Sequence, residues 1–315
     1  MEDPEEWARL VRAQDGLVTR KQALAHGLTP GTISAHLDAG RWTLRRHGVL
    51  ATFTGPLSPA ARRRAALLFV PGPAALSHTS AAAVLGLRRE DETAPVHVTV
   101  PYGSSARGCR EVVVHRSRAF GHIVVDDDPP HVGKAHTILD LAVDAPDARA
   151  AMRTLTALAA GARVPAQFLE AAIELRRPRR YLRPLRDAVA LLRDGVGSIL
   201  EADWALDVER AHGLPAPDRQ VPVVVEGRRL AEDLLYAMPH GELLVRLDGW
   251  RYHADSRTAR RDRARDNAAE LAHRARMVFG WEEVHHGPCA TAATVARRLV
   301  ELGWTGAAQR CRSCM

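Results

Sequence analysis

The chain has 315 residues, 46% of them hydrophobic, with 44 Lys+Arg against 37 Asp+Glu and a formal charge of +7. This length suits two or three domains, and the composition supports packed cores and excludes disorder for most of the chain. The positive balance favours a polyanionic partner. Lysine occurs only at Lys21 and Lys134, so 42 basic residues are arginine, whose planar fork suits phosphate. A GC-rich coding sequence accounts equally well for the arginine and alanine bias, though not for the net charge.

The segment Met1-Glu2-Asp3-Pro4-Glu5-Glu6-Trp7 is acidic and lacks the basic start and apolar run of a signal peptide. Helical spacing from Glu5 to Ala13 sets Trp7, Leu10 and Val11 on one side, and Asp15-Gly16 ends that helix. Thr19 is suited to cap a second helix that runs to about His26. Thr29 and Pro30 start a third, with threonine at the cap and proline at the first helical position. In this third helix Ile33 and Leu37 share the inner face, which turns Gly31, Thr32 and Ala35 outward and leaves Ser34 on the flank. Arg41 to Leu50 alternates like two short strands joined at His47-Gly48.

Three short helices followed by a basic hairpin is the pattern of a winged helix-turn-helix. In such a unit the helix from Pro30 to Ala39 enters the major groove. Thr32, Ser34 and Ala35 then approach the bases, while Arg41, Arg45 and Arg46 hold phosphates and set register rather than sequence choice. The same pattern also suits a winged helix used for protein contacts.

Trp7 to Leu87 resembles the N-terminal part of the AbiEi family, the antitoxins of type IV toxin–antitoxin systems. The resemblance rests on Gly40-Arg41-Trp42, Arg46-His47-Gly48-Val49, Leu76-Ser77-His78-Thr79-Ser80-Ala81-Ala82 and Gly86-Leu87. It continues in Pro95-Val96-His97-Val98-Thr99-Val100-Pro101 and His136-Thr137-Ile138-Leu139-Asp140-Leu141-Ala142. It implies a transcription regulator that binds double-stranded DNA, often its own promoter, with a cognate toxin as a further possible partner.

The middle segment reads as strands at 95–100, 111–116 and 122–126, then helices from about 136, 147 and 165. Asp126-Asp127-Asp128 before Pro129-Pro130 reads as a solvated loop rather than a metal site. The basic run from Arg176 to Arg183 reads as a linker or a phosphate contact. Charge divides along the chain, with 12 basic and 7 acidic residues in 1–90, 8 and 11 in 91–174, and 24 and 19 in 175–315.

The last third reads as a helix from Gly197-Ser198 to about His212, strands near 220–225, 229–236 and 242–248, and a polar helix from about 258 to 272. A strand near 277–279 and a helix from 291 to 302 complete it. That order suits an α/β sandwich on a small mixed sheet. Asp233 lies inside an apolar strand and Asp248 ends the next one, 15 residues on. A hairpin would bring the two carboxylates near each other, and Mg²⁺ needs such oxygen ligands. His253 is a candidate general base and Glu201 a supporting acid.

This region is similar to the PD-(D/E)XK nuclease superfamily, in particular to domains resembling very-short-patch-repair endonucleases. The matching residues are Ser198-Ile199-Leu200-Glu201, Leu214-Pro215-Ala216-Pro217, Asp233, Asp248-Gly249-Trp250-Arg251-Tyr252-His253 and Asp262-Arg263-Ala264-Arg265. One departure matters. Such domains usually carry an acid two positions before the Asp-Gly, where this chain has Arg246. An arginine there is placed to pair with Asp248 or Asp233 and to repel a metal.

The expected organisation is thus α+β and multidomain. A winged helix-turn-helix domain (1–90) precedes an antitoxin-like α+β middle domain (91–175), a basic linker (176–196), an α/β restriction-endonuclease-like domain (197–305) and a tail (306–315). The expected function is a DNA-binding regulator with a degenerate nuclease-like domain. The alternative is an active Mg²⁺-dependent DNA endonuclease with Asp233 and Asp248 as metal ligands.

No apolar run approaches the roughly 20 residues of a membrane span. Four cysteines, Cys109, Cys289, Cys311 and Cys314, are no disulfide framework, so a cytoplasmic location without a membrane partner is expected. The terminal C-x-x-C of Cys311 and Cys314 has no second matching pair in sequence and reads as part of a frayed tail.

Overall fold

The computed structural model describes residues 3–196, 198–225, 228–248, 274–311 and 314. The architecture is mixed α+β with several sheets, and it divides into two compact units. The first comprises Met1–Asp144 and Ala171–Arg177, the second Ala145–Glu170 and Pro178–Met315. Among the described residues no helix is long and apolar enough to cross a membrane.

The first unit begins with helix α1 (Pro4–Ala13), strand β1 (Leu17–Thr19), and helices α2 (Arg20–Ala25) and α3 (Pro30–Asp38). Local capping sets these starts. Asp3 accepts from Glu5 and Glu6 N–H groups at α1, and Thr19 and Gln22 form a reciprocal capping box at α2. Thr29 accepts from the Thr32 N–H at α3. Strands β2 (Thr43–Arg46) and β3 (Val49–Ala51) follow, and the antiparallel sheet runs β1-β3-β2. Sequence reasoning gives the three helices and the hairpin but misses β1, whose three residues are too few for an alternation to show. Val18, Ala23, Ile33, Trp42 and Leu50 form the core beneath, with Trp7, Leu10, Val11 and Leu37 against it.

A second sheet in this unit is built on β5 (Val96–Pro101) and β6 (Val112–Ser117), which pair in parallel. Short strands β4 (Ala75–Leu76), β8 (His131–Val132) and β7 (Val124–Val125) extend it in the order β6-β5-β4-β8-β7. Helices α4 (Pro59–Phe69), α5 (His78–Val84), α6 (Phe120–Ile123) and α7 (Lys134–Val143) belong to the same unit. Helices α8 (Ala148–Gly161) and α9 (Ala166–Arg176) come next in the chain, and the division between the units passes through α9.

The second unit carries α10 (Leu182–Arg193) and α11 (Ile199–Asp203), which continues as a π-helical segment, Trp204–Arg210. Its sheet has strands β9 (Asp218–Val225), β10 (Arg228–Met238), β11 (Gly241–Asp248) and β12 (Ala275–Gly280). The order is β12-β11-β10-β9, with β11 and β12 parallel and the rest antiparallel. A π turn (Glu282–His286) and helix α12 (Pro288–Glu301) follow. Alternate residues of the central strands, Leu234 and Tyr236 on β10 and Leu243 and Val245 on β11, join Trp204, Val208, Val284, Val295 and Leu299 in one core.

That core has a polar anchor. Trp204 Nε1 donates to the Tyr236 hydroxyl at 3.2 Å, and Arg219 Nη2 donates to Glu209 Oε2 at 2.5 Å, with Tyr236 and Glu209 3.5 Å apart. Burial pushes the Glu209 carboxyl up from its ordinary value, and the Arg219 guanidinium opposes that shift. Removing only the cation leaves a buried carboxylate unmatched. Arg219→Ala is therefore expected to lose about 3–5 kcal/mol in urea unfolding, and Glu209→Gln with Arg219→Met markedly less. Equal losses in the two variants would show that the pair is not what holds this corner.

Candidate functional site

The N-terminal residues singled out for nucleic acid divide into two sets. On α3 Ile33 is fully buried and Leu37 half-buried, while Thr32, Ser34 and Ala35 are exposed. The Thr32 hydroxyl is hydrogen-bonded to Thr29 Oγ1 at 2.9 Å, which ties the outer face to the cap. Arg41 is exposed, and its Nε lies 3.0 Å from His36 Nδ1. The His36 ring stacks on Trp42, and Trp42 stacks on Trp7.

The other two arginines are differently placed. Arg45 donates to the Gly55 carbonyl and lies 5.9 Å over the Phe53 ring. Arg46 has a side chain only 7% exposed and bonds Glu111 Oε2 at 2.5 Å. Arg41, although it too has a partner in His36, is the most exposed of the three. Arg20 and Lys21, at the start of α2, are also exposed, and sequence reasoning did not select them.

In the second unit Glu201 is buried on α11, with its N–H donating to Ser198 Oγ at 3.1 Å. Asp233 Oδ2 accepts from the Leu247 N–H at 2.8 Å. Asp248 is exposed at the end of β11, in register with Gly280. His253 lies outside the described residues, as do the expected helix 258–272 and the Asp262–Arg265 pattern.

Arg246 is buried, and its fork grips Glu232, with Nε to Oε2 at 2.8 Å and Nη2 to Oε1 at 3.1 Å. Sequence reasoning proposed Asp233 or Asp248 as its partner and overlooked Glu232, one residue upstream. Arg246 is thus matched bidentately by Glu232 and brings no acidic ligand to the position before Asp248.

A second group of acids lies nearby in the sequence. Asp203 and Asp207 are four residues apart on the helix beginning at Ile199, and Arg149 and Arg153 are four apart on α8. Residues at that spacing share a helix face. Arg153 donates to Asp203 Oδ1 and Asp207 Oδ2, each at 2.7 Å, and Arg149 Nε donates to Asp207 Oδ1 at 2.7 Å. His285 Nδ1 lies 3.2 Å from Asp203 Oδ2. These carboxylates are used to join helices.

Among the described residues, two clusters with metal-ligating side chains emerge only in three dimensions. One is His212, Cys289, Cys311 and Cys314, whose ligand atoms all lie within 4.8 Å of one another, so the chain holds a His/Cys group able to coordinate a metal ion. The C-x-x-C is thus not isolated, because the fold supplies its partners from 22 and 102 residues away. The available signal was the crowding of three of the four cysteines into the last 27 residues.

The other is His78, His97 and His115 in the first unit. His97 Nδ1 and His115 Nε2 are 3.0 Å apart, and the His78 ring stacks on His115 with centroids 3.6 Å apart and planes within 16°. His97 and His115 share a hydrogen bond whose donor depends on the tautomer, and His78 lies tilted by 32° to His97. Asp140, Asp144, His136 and Arg176 surround it. Burial first, then neighbouring charge, lowers His78 and His115 to about 3, and burial also lowers His97 and His136.

No protein-family model matches the chain, and no curated protein does. Among solved structures it is similar to the RV2827C protein from Mycobacterium tuberculosis. That likeness has 17% identity and a TM-score of 0.41, and it covers 63% of this chain and 78% of that one. It is a distant and partial match.

The histidine stack has a consequence for stability. An imidazole held at low pKa when folded takes up its proton only on unfolding, so its contribution is complete above about pH 6.5 and is lost as pH falls toward 3. Unfolding midpoints in urea are expected to drop between pH 7 and pH 5, where ordinary carboxylates stay ionised. His115→Gln should show a shallower drop, and identical slopes would remove the stack as the cause.

Proposed function

We propose that this chain is a DNA-binding regulator of antitoxin type. In this reading residues 1–90 act as a winged helix-turn-helix domain and residues 91–175 as the middle domain. Residues 176–196 link these to a nuclease-like domain, 197–305, that does not cleave. Double-stranded DNA is the partner, and a cognate toxin is the second partner that the AbiEi resemblance implies.

The observation that carries the reading is the outer face of α3. A capped helix with Ile33 inward offers Thr32, Ser34 and Ala35 outward, followed by the β2–β3 hairpin. Small side chains allow the helix backbone close to base edges in a major groove. Exposed Arg20, Lys21 and Arg41 are suited to hold phosphates on either side. Arg45 and Arg46 then act chiefly by stiffening the hairpin, because each is less exposed than Arg41 and is held by Gly55 or Glu111.

Arg246 supports the absence of cleavage, because it stands where the resembled nucleases carry an acid and is matched to Glu232. In the alternative, Asp233 and Asp248 bind Mg²⁺, His253 serves as general base and Glu201 supports the site.

A gel shift on the DNA upstream of the gene, repeated across salt, tests the regulator reading. Arg41→Ala is expected to weaken binding and to reduce the slope of log K against log salt by about 1. Arg46→Ala should change the slope less. Salt-independent affinity, or no binding, would overturn the reading. Supercoiled plasmid with Mg²⁺ is expected to stay intact, and nicking that Asp233→Ala abolishes would establish the endonuclease instead.

A further inference from the structure

We propose that His212, Cys289, Cys311 and Cys314 form a structural Zn²⁺ site that clasps the C-terminal tail onto the second unit. The inference is independent of the DNA-binding reading, since it rests on other residues and another chemistry.

The ligand set comes from three parts of the chain. His212 follows the π-helical segment Trp204–Arg210, Cys289 is the second residue of α12, and Cys311 and Cys314 lie in the tail. Neighbouring ligand atoms are close to evenly spaced. Cys289 Sγ to Cys311 Sγ is 3.5 Å, Cys311 Sγ to Cys314 Sγ is 3.4 Å, and Cys314 Sγ to His212 Nε2 is 3.4 Å. A tetrahedral zinc ion places two bound sulfurs about 3.8 Å apart and a sulfur and a nitrogen about 3.6 Å apart. These three contacts need an expansion of only a few tenths of an ångström to receive the ion, and all four ligand atoms lie within 4.8 Å of one another. All four cysteines of the chain are free thiols, and the sulfur separations are far too long for a disulfide.

The histidine is prepared for this role. His212 is 3% exposed, and its Nδ1 lies 3.2 Å from the Val208 carbonyl. That carbonyl can only accept, so the ring donates from Nδ1 and presents the Nε2 lone pair to the sulfurs. A second hydrogen bond that fixes the tautomer in this way is the usual support of a zinc-bound histidine.

The backbone closes the same joint. Gln309 N donates to the His212 carbonyl at 2.7 Å. Gly213 turns with φ +65, and an added Cβ there would meet the Gln309 side chain at 3.0 Å. Three soft thiolates and one imidazole favour zinc over the hard, oxygen-seeking cations. Four protein ligands leave no open position, which makes the site structural rather than catalytic. Its effect is to hold the tail against two helices.

The test uses the purified full-length chain. Metal analysis is expected to find one zinc per chain, and Cys311→Ser and Cys314→Ser each to lose most of it. Cys109→Ser, in the other unit, should retain it. Should the tail variants fold poorly, wild-type protein stripped by chelator and titrated with Co²⁺ gives an independent measure. It should develop the ligand-field and thiolate charge-transfer bands of tetrahedral cobalt at one equivalent. Protease should cut the tail of stripped protein and spare it after zinc is restored. Protein purified without metal and showing no tetrahedral cobalt spectrum would overturn the site, as would zinc lost equally in Cys109→Ser. Iron in place of zinc would overturn the assignment of the ion.

Discussion

A carboxylate taken out of water must find a cation or lose its charge, and this chain buries such groups repeatedly. Asp140, Asp203, Asp207, Glu209 and Glu232 are between 2% and 5% exposed. Desolvating each would cost several kcal/mol if it stayed ionised and unmatched. Each has an arginine partner, Arg176 for Asp140, Arg153 for Asp203, Arg149 and Arg153 for Asp207, Arg219 for Glu209 and Arg246 for Glu232. The pairs join α7 to α9, α8 to the helix beginning at Ile199, that helix to β9, and β10 to β11. The placing of helices and strands within each unit depends on this matching. Arginine suits it because a planar fork can serve both oxygens of one carboxylate, or one oxygen of each of two.

The arginine excess therefore has two different uses. Composition alone points to a polyanionic partner, yet many of these cations are spent inside. Arg46, which the sequence pattern places as a phosphate contact on the hairpin, is turned onto Glu111. Arg246, in the place of an expected nuclease acid, is turned onto Glu232. The cations available to an outside anion are those such as Arg20, Lys21 and Arg41, which are exposed at the ends of short elements. Net charge is a statement about the whole chain, and burial decides which part of it a partner can feel.

What was legible in sequence was local. Thr19 with Gln22, Thr29 with Pro30, Asp147 and Ser198 all mark helix starts with side chains that satisfy N–H groups within three residues. The strands at 96–101, 112–117 and 241–248 likewise fall where the sequence pattern placed them, to within a residue. What was not legible was pairing at a distance. Glu232 looks like an ordinary strand residue until Arg246 crosses to it, and the C-x-x-C looks solitary until His212 and Cys289 arrive from other elements. The π-helical segment Trp204–Arg210 was also invisible, because the sequence reads as one continuous helix to about His212 and carries no mark of i→i+5 bonding. A linear pattern carries the period of an element but not the identity of its neighbour.

The two units meet the cost of interior polarity in different ways, and the difference follows from their chemistry. In the first unit three stacked histidines lie beside the buried acid–arginine pair of Asp140 and Arg176. Imidazole can enter such a place neutral, so it adds no further charge to be matched, and its cost appears only when acid forces a proton on it. The second unit relies on carboxylates matched by arginines, which tolerate burial only as complete pairs, and burial pushes its Glu209 carboxyl up against the Arg219 charge that opposes the shift. Acid therefore acts on the first unit by forcing protons onto imidazoles and on the second by removing carboxylate charge from its pairs. That difference arises from side-chain chemistry alone, whatever partner the exposed face of α3 meets.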